Sequence, residues 1–184
     1  GATGEFSSLL TQIGLVGKLI SQDLRRAGLI NILGMTGETN VQGETVKKLD
    51  AIANDDFVRV FQASEHVCAL ASEEMEKPIL LPNNWPHGKY MLLFDPLDGS
   101  SNTDNNMPLG AIFSVLKYGR TDRLPTEADL IRRGTEQVAA GYLLYGSSTM
   151  LVYTVGQGVY GFTLDPEIGE YLLSHERMRI PEKG

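Results

Sequence analysis

Apolar residues in the first third of the chain recur at the spacing of helix faces. From residue 6 to residue 24, one helical face collects Phe6, Leu9, Leu10, Ile13, Val16, Ile20 and Leu24. Arg25 and Arg26 suit the last turn of this helix, and Gly28 is a stop signal. A second helix is predicted from about residue 44 to residue 62, with Val46, Leu49, Ala53, Phe57 and Val60 or Phe61 on its buried side. The stretch between them, residues 36–45, is rich in turn formers and is predicted to be a loop.

The remaining two thirds of the chain carry short apolar runs that are typical of strands. Such runs occupy residues 67–71, 89–94, 111–116, 138–145, 150–153 and 159–163. The charged stretch 118–137 is predicted to be an exposed connection. Because helices come first and strands follow in succession, we predict an α+β fold. Long helices pack on one face of a mixed, largely antiparallel sheet.

Composition and charge narrow the classes of partner. The formal net charge is −7, from 23 acidic and 16 basic residues, so neither nucleic acid nor an anionic membrane surface is expected as a partner. No apolar run reaches the ~18 residues of a membrane span. The one cysteine, Cys68, cannot form an intrachain disulfide and lies in an apolar run that predicts a core position. The first residues lack a signal-peptide pattern, so we expect a cytoplasmic protein.

The segment Phe94-Asp-Pro-Leu-Asp-Gly-Ser-Ser-Asn102 is the strongest candidate for chemistry. A buried strand would deliver Asp95 to its end, Pro96 would bend the chain, and Asp98 would arrive one short turn later. Both carboxylates and the Leu97 carbonyl could then point at one small volume, and hard divalent cations such as magnesium prefer oxygen ligands.

The residues that follow suit a phosphate group. Gly99 allows close approach of a ligand, and Ser100 and Ser101 offer hydroxyl and backbone N–H groups, which would bind phosphate if a helix begins there. A metal beside a phosphate cradle is what metal-assisted phosphate hydrolysis requires. An ordinary turn explains Asp-x-x-Asp-Gly alone equally well. A calcium loop does not, because Thr103 and Leu109 stand where such a loop needs glycine and glutamate.

Other acidic residues could join this segment. Glu73 and Glu74 follow an apolar run as Asp95 does, so Glu73 could reach the metal if the two strands are neighbours, and Glu74 could polarise a water. A pair of surface glutamates is the simpler interpretation of that pair taken alone. The acidic loop before the second helix contributes Glu38, Glu44 and Asp50, with Gly37 and Gly43 as hinges that would let it close over the site.

Several stretches together give the chain a family resemblance. The motif Asp95-Pro-Leu-Asp-Gly-Ser-Ser-Asn102 resembles the metal-and-phosphate signature of the lithium-sensitive phosphatases, and its Ser-Ser-Asn ending resembles that of fructose-1,6-bisphosphatases. Further stretches that look the same way are Thr3-Gly-Glu5, Val46-Lys-Lys-Leu-Asp50, Glu73-Glu74, Gly88-Lys-Tyr90, Ala139-Ala-Gly-Tyr142, Tyr145-Gly-Ser147 and Leu164-Asp-Pro-Glu-Ile-Gly-Glu170. The resemblance implies that residues 1–184 form the N-terminal domain, with the C-terminal substrate domain outside this chain.

The resemblance also implies roles for particular residues. The metal ligands would be Glu73, Asp95, Asp98 and the Leu97 carbonyl, holding two or three Mg²⁺ ions, with Mn²⁺ or Zn²⁺ as substitutes. The cleaved phosphate would be held by Asp98, Gly99, Ser100 and Ser101, and the attacking water by Glu74, Asp50 and Glu44. An allosteric AMP site would comprise Thr3, Gly4, Glu5, Phe6, Ser7, Lys89, Tyr90 and Lys117.

The implied activity is magnesium-dependent removal of the 1-phosphate of fructose 1,6-bisphosphate, a step of gluconeogenesis, in an AMP-inhibited homotetramer. The alternatives are a sedoheptulose bisphosphatase, an inositol phosphatase, or a non-catalytic AMP-sensing fragment. The chain departs from the family pattern at two positions. Glu44 stands where many members have Asp, and Lys117 stands where animal enzymes have Arg, which removes a bidentate donor.

Overall fold

Two helices open the described part of the chain. The computed structural model describes residues 4–27, 48–84, 86–100 and 107–182, and the backbone alone of residues 35–39 and 45–47. Helix α1 spans Gly4–Arg26 and helix α2 spans Lys48–Gln62. The apolar face predicted for α1 is confirmed, because Leu9, Ile13 and Val16 have no exposed surface. Within the described residues, no helix is both long enough and apolar enough to cross a membrane.

The stretch between the helices differs from its prediction as a loop. Strand β1 (Met35–Thr39) pairs antiparallel with strand β2 (Thr45–Lys47), and α2 begins at Lys48 rather than near residue 44. A two-stranded ribbon needs only backbone pairing, so it can form in a polar stretch that carries no apolar pattern. Gly28 and residues 40–44, which include Glu44, lie outside the described residues. Only the backbone is described for Glu38 and Thr39.

Eight further strands form one mixed sheet. They are β3 (Val67–Ser72), β4 (Ile79–Leu80), β5 (Tyr90–Asp98), β6 (Leu109–Lys117), β7 (Gln137–Tyr145), β8 (Thr149–Thr154), β9 (Val159–Asp165) and β10 (Glu170–His175). The strand order is β10-β9-β8-β7-β6-β5-β3-β4, and every pair is antiparallel except the parallel pair β3 and β5. The predicted α+β fold with a mixed, largely antiparallel sheet is therefore confirmed.

Both helices pack on one face of this sheet and share one core with it. Phe57 of α2 stacks on Phe94 of β5, with ring centroids 4.4 Å apart. Helix α1 lies close to β7, because a Cβ built on Gly17 would stand 2.6 Å from a methyl carbon of Leu143. A buried hydrogen bond of 2.7 Å joins Ser21 Oγ of α1 to Thr149 Oγ1 of β8. These contacts fix α1 and α2 relative to the ends of β5.

The stretch 118–137 was predicted to be an exposed connection, and the structure shows that part of it is buried. Tyr118 and Leu130 are buried in a small second core with Cys68. The charged residues of this segment pair with each other, since Arg123 Nη2 lies 2.7 Å from Asp129 Oδ1. Cys68 is fully buried, as predicted, and burial raises the pKa of its thiol to about 12.

Candidate active site

The end of β5 carries a bulge at the predicted metal-binding motif. Asp95 pairs with Ile112 and Asp98 pairs with Gly110, so β5 advances three residues while β6 advances two. The strand was predicted to stop at Asp95; it continues to Asp98 with one extra residue, because Pro96 has no N–H for the ladder. The backbone N–H of Leu97 turns back and donates to Asp95 Oδ1 at 3.1 Å. The bulge thus holds the Asp95 carboxylate in a fixed orientation.

The turn after the bulge begins the predicted phosphate cradle. Gly99 has a φ of +81°, a left-handed conformation that side chains with a Cβ rarely adopt. Ser100 follows, at the start of a helical turn, and both residues are partly buried. Ser101 lies outside the described residues. The structure therefore brings Gly99 and Ser100 to the end of β5 beside Asp98, as expected from the sequence.

The parallel pair of strands places Glu73 beside Asp95. Ser72 of β3 is the partner of Phe94, and the backbone N–H of Glu73 donates to the carbonyl of Phe94 at 3.1 Å. The chain then turns, because the N–H of Glu74 donates to Ser72 Oγ at 3.2 Å. Carboxyl ends of parallel strands meet at one edge of a sheet. The condition set by the sequence, that the strands before Glu73 and before Asp95 are neighbours, is confirmed.

The charge at this edge perturbs Asp95. Burial, followed by the negative charges of Glu73, Asp98 and Asp50, raises the pKa of Asp95 to about 6 against the opposing N–H of Leu97. Asp50 lies in the first turn of α2, and only 3% of its surface is exposed. Three carboxyl groups, of Glu73 after β3, Asp98 of β5 and Asp50 of α2, therefore act on Asp95 at the carboxyl end of the parallel pair.

This locus has the chemistry of a divalent-cation site. Its donors are carboxylates and a backbone carbonyl, which are hard oxygen ligands, and its like charges repel one another until a cation neutralises them. Among the described residues, no group of three His, Cys, Asp or Glu side chains lies close enough together to bind one metal ion. Glu44, the predicted loop acid, lies outside the described residues. The residues fit a cation in type and in placement along the sheet edge.

A cleft of about 720 Å³ opens on the sheet at this edge. Glu73 and Asp95 line it, and Phe113, Tyr142 and Tyr153 give it apolar walls. The sequence pattern did not indicate Phe113 or Tyr153 as site residues, and Tyr142 appeared only within a stretch that resembles the family. The alternation of apolar residues along β6 and β7 is visible in the sequence. The strand register that brings the three aromatic residues together is not.

The residues predicted to bind AMP meet at the other end of β5. Lys89 directly precedes β5, Tyr90 opens it, and Tyr90 is the strand partner of Lys117. Lys89 Nζ lies 2.7 Å from Glu5 Oε1 in the first turn of α1, and this hydrogen bond lowers the pKa of Glu5. The rings of Phe6 and Tyr90 are tilted, with centroids 5.5 Å apart. Gly4 and Ser7 belong to the same first turns of α1, whereas Thr3 lies outside the described residues.

The fold places the chain among α+β sugar phosphatases of known structure. It matches the crystal structure of Leishmania major fructose-1,6-bisphosphatase in its holo form with a TM-score of 0.93 and 40% identity, over 100% of this chain and 58% of that chain. The T-state structure of the same protein matches with a TM-score of 0.82 and 39% identity, over 100% of this chain and 55% of that one.

Sequence comparisons identify the family. Residues 1–176 match the family model for the N-terminal domain of fructose-1,6-bisphosphatase. The class 1 fructose-1,6-bisphosphatase of Trichodesmium erythraeum is 57% identical over 98% of this chain and 51% of its own length, and that of Chloroherpeton thalassium is 54% identical over 100% and 53%. The chain belongs to the fructose-1,6-bisphosphatase family. It spans about half the length of the curated relatives that it matches.

Proposed function

We propose that the chain supplies the metal-binding half of a magnesium-dependent fructose-1,6-bisphosphatase. The protein would remove the 1-phosphate of fructose 1,6-bisphosphate to give fructose 6-phosphate, a step of gluconeogenesis in the cytoplasm. The observation that carries the proposal is the meeting of Glu73 and Asp95 at the ends of neighbouring parallel strands, where burial and the neighbouring carboxylates raise the pKa of Asp95 to about 6. Relatives that share more than half of its residues are named fructose-1,6-bisphosphatases.

The residues at the carboxyl ends of β3 and β5 would bind the metal in this proposal. Glu73, Asp95, Asp98 and the carbonyl of Leu97 would hold two or three Mg²⁺ ions, with Mn²⁺ or Zn²⁺ as substitutes. The bound metal would supply charge that stabilises the phosphoryl group and the leaving oxygen. The bulge keeps Asp95 oriented through its bond from Leu97.

Substrate and water would be positioned by the neighbouring residues. The backbone N–H groups of Gly99, Ser100 and Ser101 would bind the phosphate oxygens beside Asp98. Glu74, with Asp50 and Glu44, would orient the attacking water and accept its proton. The left-handed turn at Gly99 is what lets the backbone come close to a phosphate.

Replacing Asp98 tests this assignment. In the full-length enzyme, Asp98→Asn should reduce magnesium-dependent phosphate release from fructose 1,6-bisphosphate by at least ~100-fold, because a metal ligand is lost. Asp55→Asn, at an exposed position of α2, is the matched control and should retain activity. Retained activity in Asp98→Asn would refute the site. A panel with sedoheptulose 1,7-bisphosphate and inositol phosphates separates the alternative substrates.

We further propose that AMP binds at the start of α1 and inhibits the enzyme. The N–H groups of the first turn of α1 and the ammonium of Lys89 suit a phosphate, with Tyr90 and Lys117 alongside. The ion pair of Lys89 with Glu5 would have to open for AMP, so Glu5→Gln should tighten AMP binding in calorimetry. AMP binding without any magnesium-dependent hydrolysis would favour the non-catalytic sensor instead.

A homotetramer is the proposed assembly. The edge strand β10 supports it, because Leu172 and Leu173 are about half exposed, with 50% and 48% of their surfaces open. Among the described strands none pairs with the outer edge of β10, and exposed apolar residues on such an edge are typical of an interaction surface, which a second copy could cover. Light scattering of the purified protein measures the mass directly, and a monomer at micromolar concentration would contradict this part of the proposal.

A further inference from the structure

Helices α1 and α2 meet along an apolar seam that two acidic residues interrupt. Asp23 of α1 borders a narrow gap between the helices, together with Ile20 and with Ala53 of α2. Asp56 of α2 has only 7% of its surface exposed. Acidic residues are rarely buried so fully unless they are paired. Neither residue belongs to the site at the end of β5.

The two oxygens of Asp56 have different surroundings. Oδ1 accepts a hydrogen bond of 2.6 Å from Arg59 Nη2, whose own side chain is 71% exposed. Oδ2 is buried, and no donor among the described residues reaches it. Ala53, which borders the gap with Asp23, lies one helical turn before Asp56 on the buried side of α2, and the charge of Asp23 raises the pKa of Asp56. A carboxyl group can donate a hydrogen bond only when it is protonated.

We propose that Asp23 and Asp56 form a carboxyl pair that holds one shared proton between α1 and α2, so that the packing of the two helices depends on pH. With the proton, one carboxyl group donates to the other and the buried oxygen is satisfied. Without it, two negative charges face each other at a mostly apolar seam, and Arg59 compensates only one of them.

The charged and titratable groups around Asp56 come from both helices and from the sheet. Burial raises the pKa of Asp56, and the charge of Asp23 on α1 raises it further, whereas Arg59 on α2 lowers it. From the sheet, Tyr145 of β7 has a buried hydroxyl without a partner among the described residues, and Tyr171 of β10 lies near it. Burial raises the pKa of Tyr145 well above its usual range, so this group stays neutral and brings no positive charge to balance the pair.

The direction of the pH dependence follows from the raised pKa of Asp56. A group that is harder to ionise in the folded chain contributes its full stability below its ordinary pKa of 3.8, and that stability is lost as the pH rises through the higher folded value. Weakly acidic conditions should therefore tighten the contact of α1 with α2. If the proposed function holds, this contact links the helix that begins the AMP site to the helix that carries Asp50.

The variant Asp23→Asn tests the pair because an amide donates to Asp56 Oδ2 at every pH and leaves the bond to Arg59 in place. At pH 8 we expect its midpoint of thermal unfolding to exceed that of the original chain by about 2–4 °C, and near pH 4 we expect the difference to vanish. Asp55→Asn, one residue from Asp56 but exposed, is the control and should show no such pH-dependent gain. A gain that is equal at both pH values, or absent at both, would overturn the proposal.

Titration of the carboxyl carbon of Asp56 by NMR provides a readout that does not depend on unfolding or on enzyme activity. In the original chain the midpoint should lie above 3.8, and in Asp23→Asn it should fall, because the like charge is gone and a permanent donor replaces it. An unchanged midpoint in the variant would show that the two carboxyl groups do not share a proton.

Discussion

Replacing Asp95 by asparagine removes one charge from the crowded edge of the sheet, and we expect the metal-free chain to become more stable at neutral pH. The raised pKa of about 6, against the ordinary 3.8, sets the magnitude. Each pKa unit corresponds to about 1.4 kcal/mol, so ionising Asp95 in the folded chain costs up to about 3 kcal/mol. Because the side chain is only partly buried, solvent screening reduces this to roughly 1–2 kcal/mol.

The sign of this effect fixes the pH window of the experiment. The folded pKa of Asp95 is raised, so its stability contribution is complete below pH 3.8 and is lost as the pH rises through about 6. Asp95→Asn keeps the oxygen that accepts the N–H of Leu97, and so it removes the charge without removing the bond that orients the side chain. The gain should therefore appear at pH 7.5 and disappear at pH 4.

Thermal unfolding followed by circular dichroism, with a chelator present, measures the gain. We expect the midpoint of Asp95→Asn to rise by about 2–8 °C at pH 7.5. Asp165→Asn is the matched control, because Asp165 Oδ1 accepts the N–H of Glu167 at 2.9 Å in the same local arrangement. Adding magnesium should then stabilise the original chain but not Asp95→Asn. Destabilisation of the metal-free variant at pH 7.5 would refute the claim that burial and repulsion of the Asp95 charge destabilise this edge.

Two further substitutions test the fold that supports the site. Gly141→Ala should cost about 1–3 kcal/mol of unfolding free energy, because the added Cβ would stand 2.6 Å from the Phe113 ring and closer still to a backbone carbonyl. Gly146→Ala, whose Cβ meets no atom nearer than 3.8 Å, should cost little in the same urea titration. Asp129→Asn should cost about 1–3 kcal/mol at pH 7, because Arg123 loses a charged partner 2.7 Å away. Hydrogen bonds from Arg123 lower the pKa of Asp129. The stabilisation by Asp129 is therefore complete above pH 3.8 and is lost as the pH falls below that value. An equal cost at pH 2 and pH 7 would contradict this account.

The sequence predicted the helices and strands that pack against the core, because burial leaves a pattern of apolar residues along them. The apolar period of α1 and the continuous apolar runs of β5 to β8 follow from burial on one or both sides, and burial is visible in residue type. The strands at the margin were not predictable in this way. Strand β4 has only two residues, and five of the six residues of β10 are exposed, so neither leaves an apolar pattern.

The site shows the same division between local and long-range information. The composition of the motif at residues 95–102 indicated metal and phosphate chemistry, because carboxylates, a proline and a glycine act locally. The parallel pairing that places Glu73 beside Asp95 depends on a contact between strands about twenty residues apart, and the sequence offered it only as a condition. The family resemblance put Glu5 and Lys89 in one predicted site, but nothing in the sequence indicated that these residues, 84 positions apart, form an ion pair.

Calorimetric titration with magnesium of the original chain, of Glu73→Gln, of Asp98→Asn and of the double variant tests most directly whether carboxylates from β3 and β5 share an ion. We predict that each single change weakens binding about 10-fold or more, and that the double change weakens it less than the product of the two, because both remove ligands of one site. Independent, multiplicative losses, or binding that neither change weakens, would contradict the account.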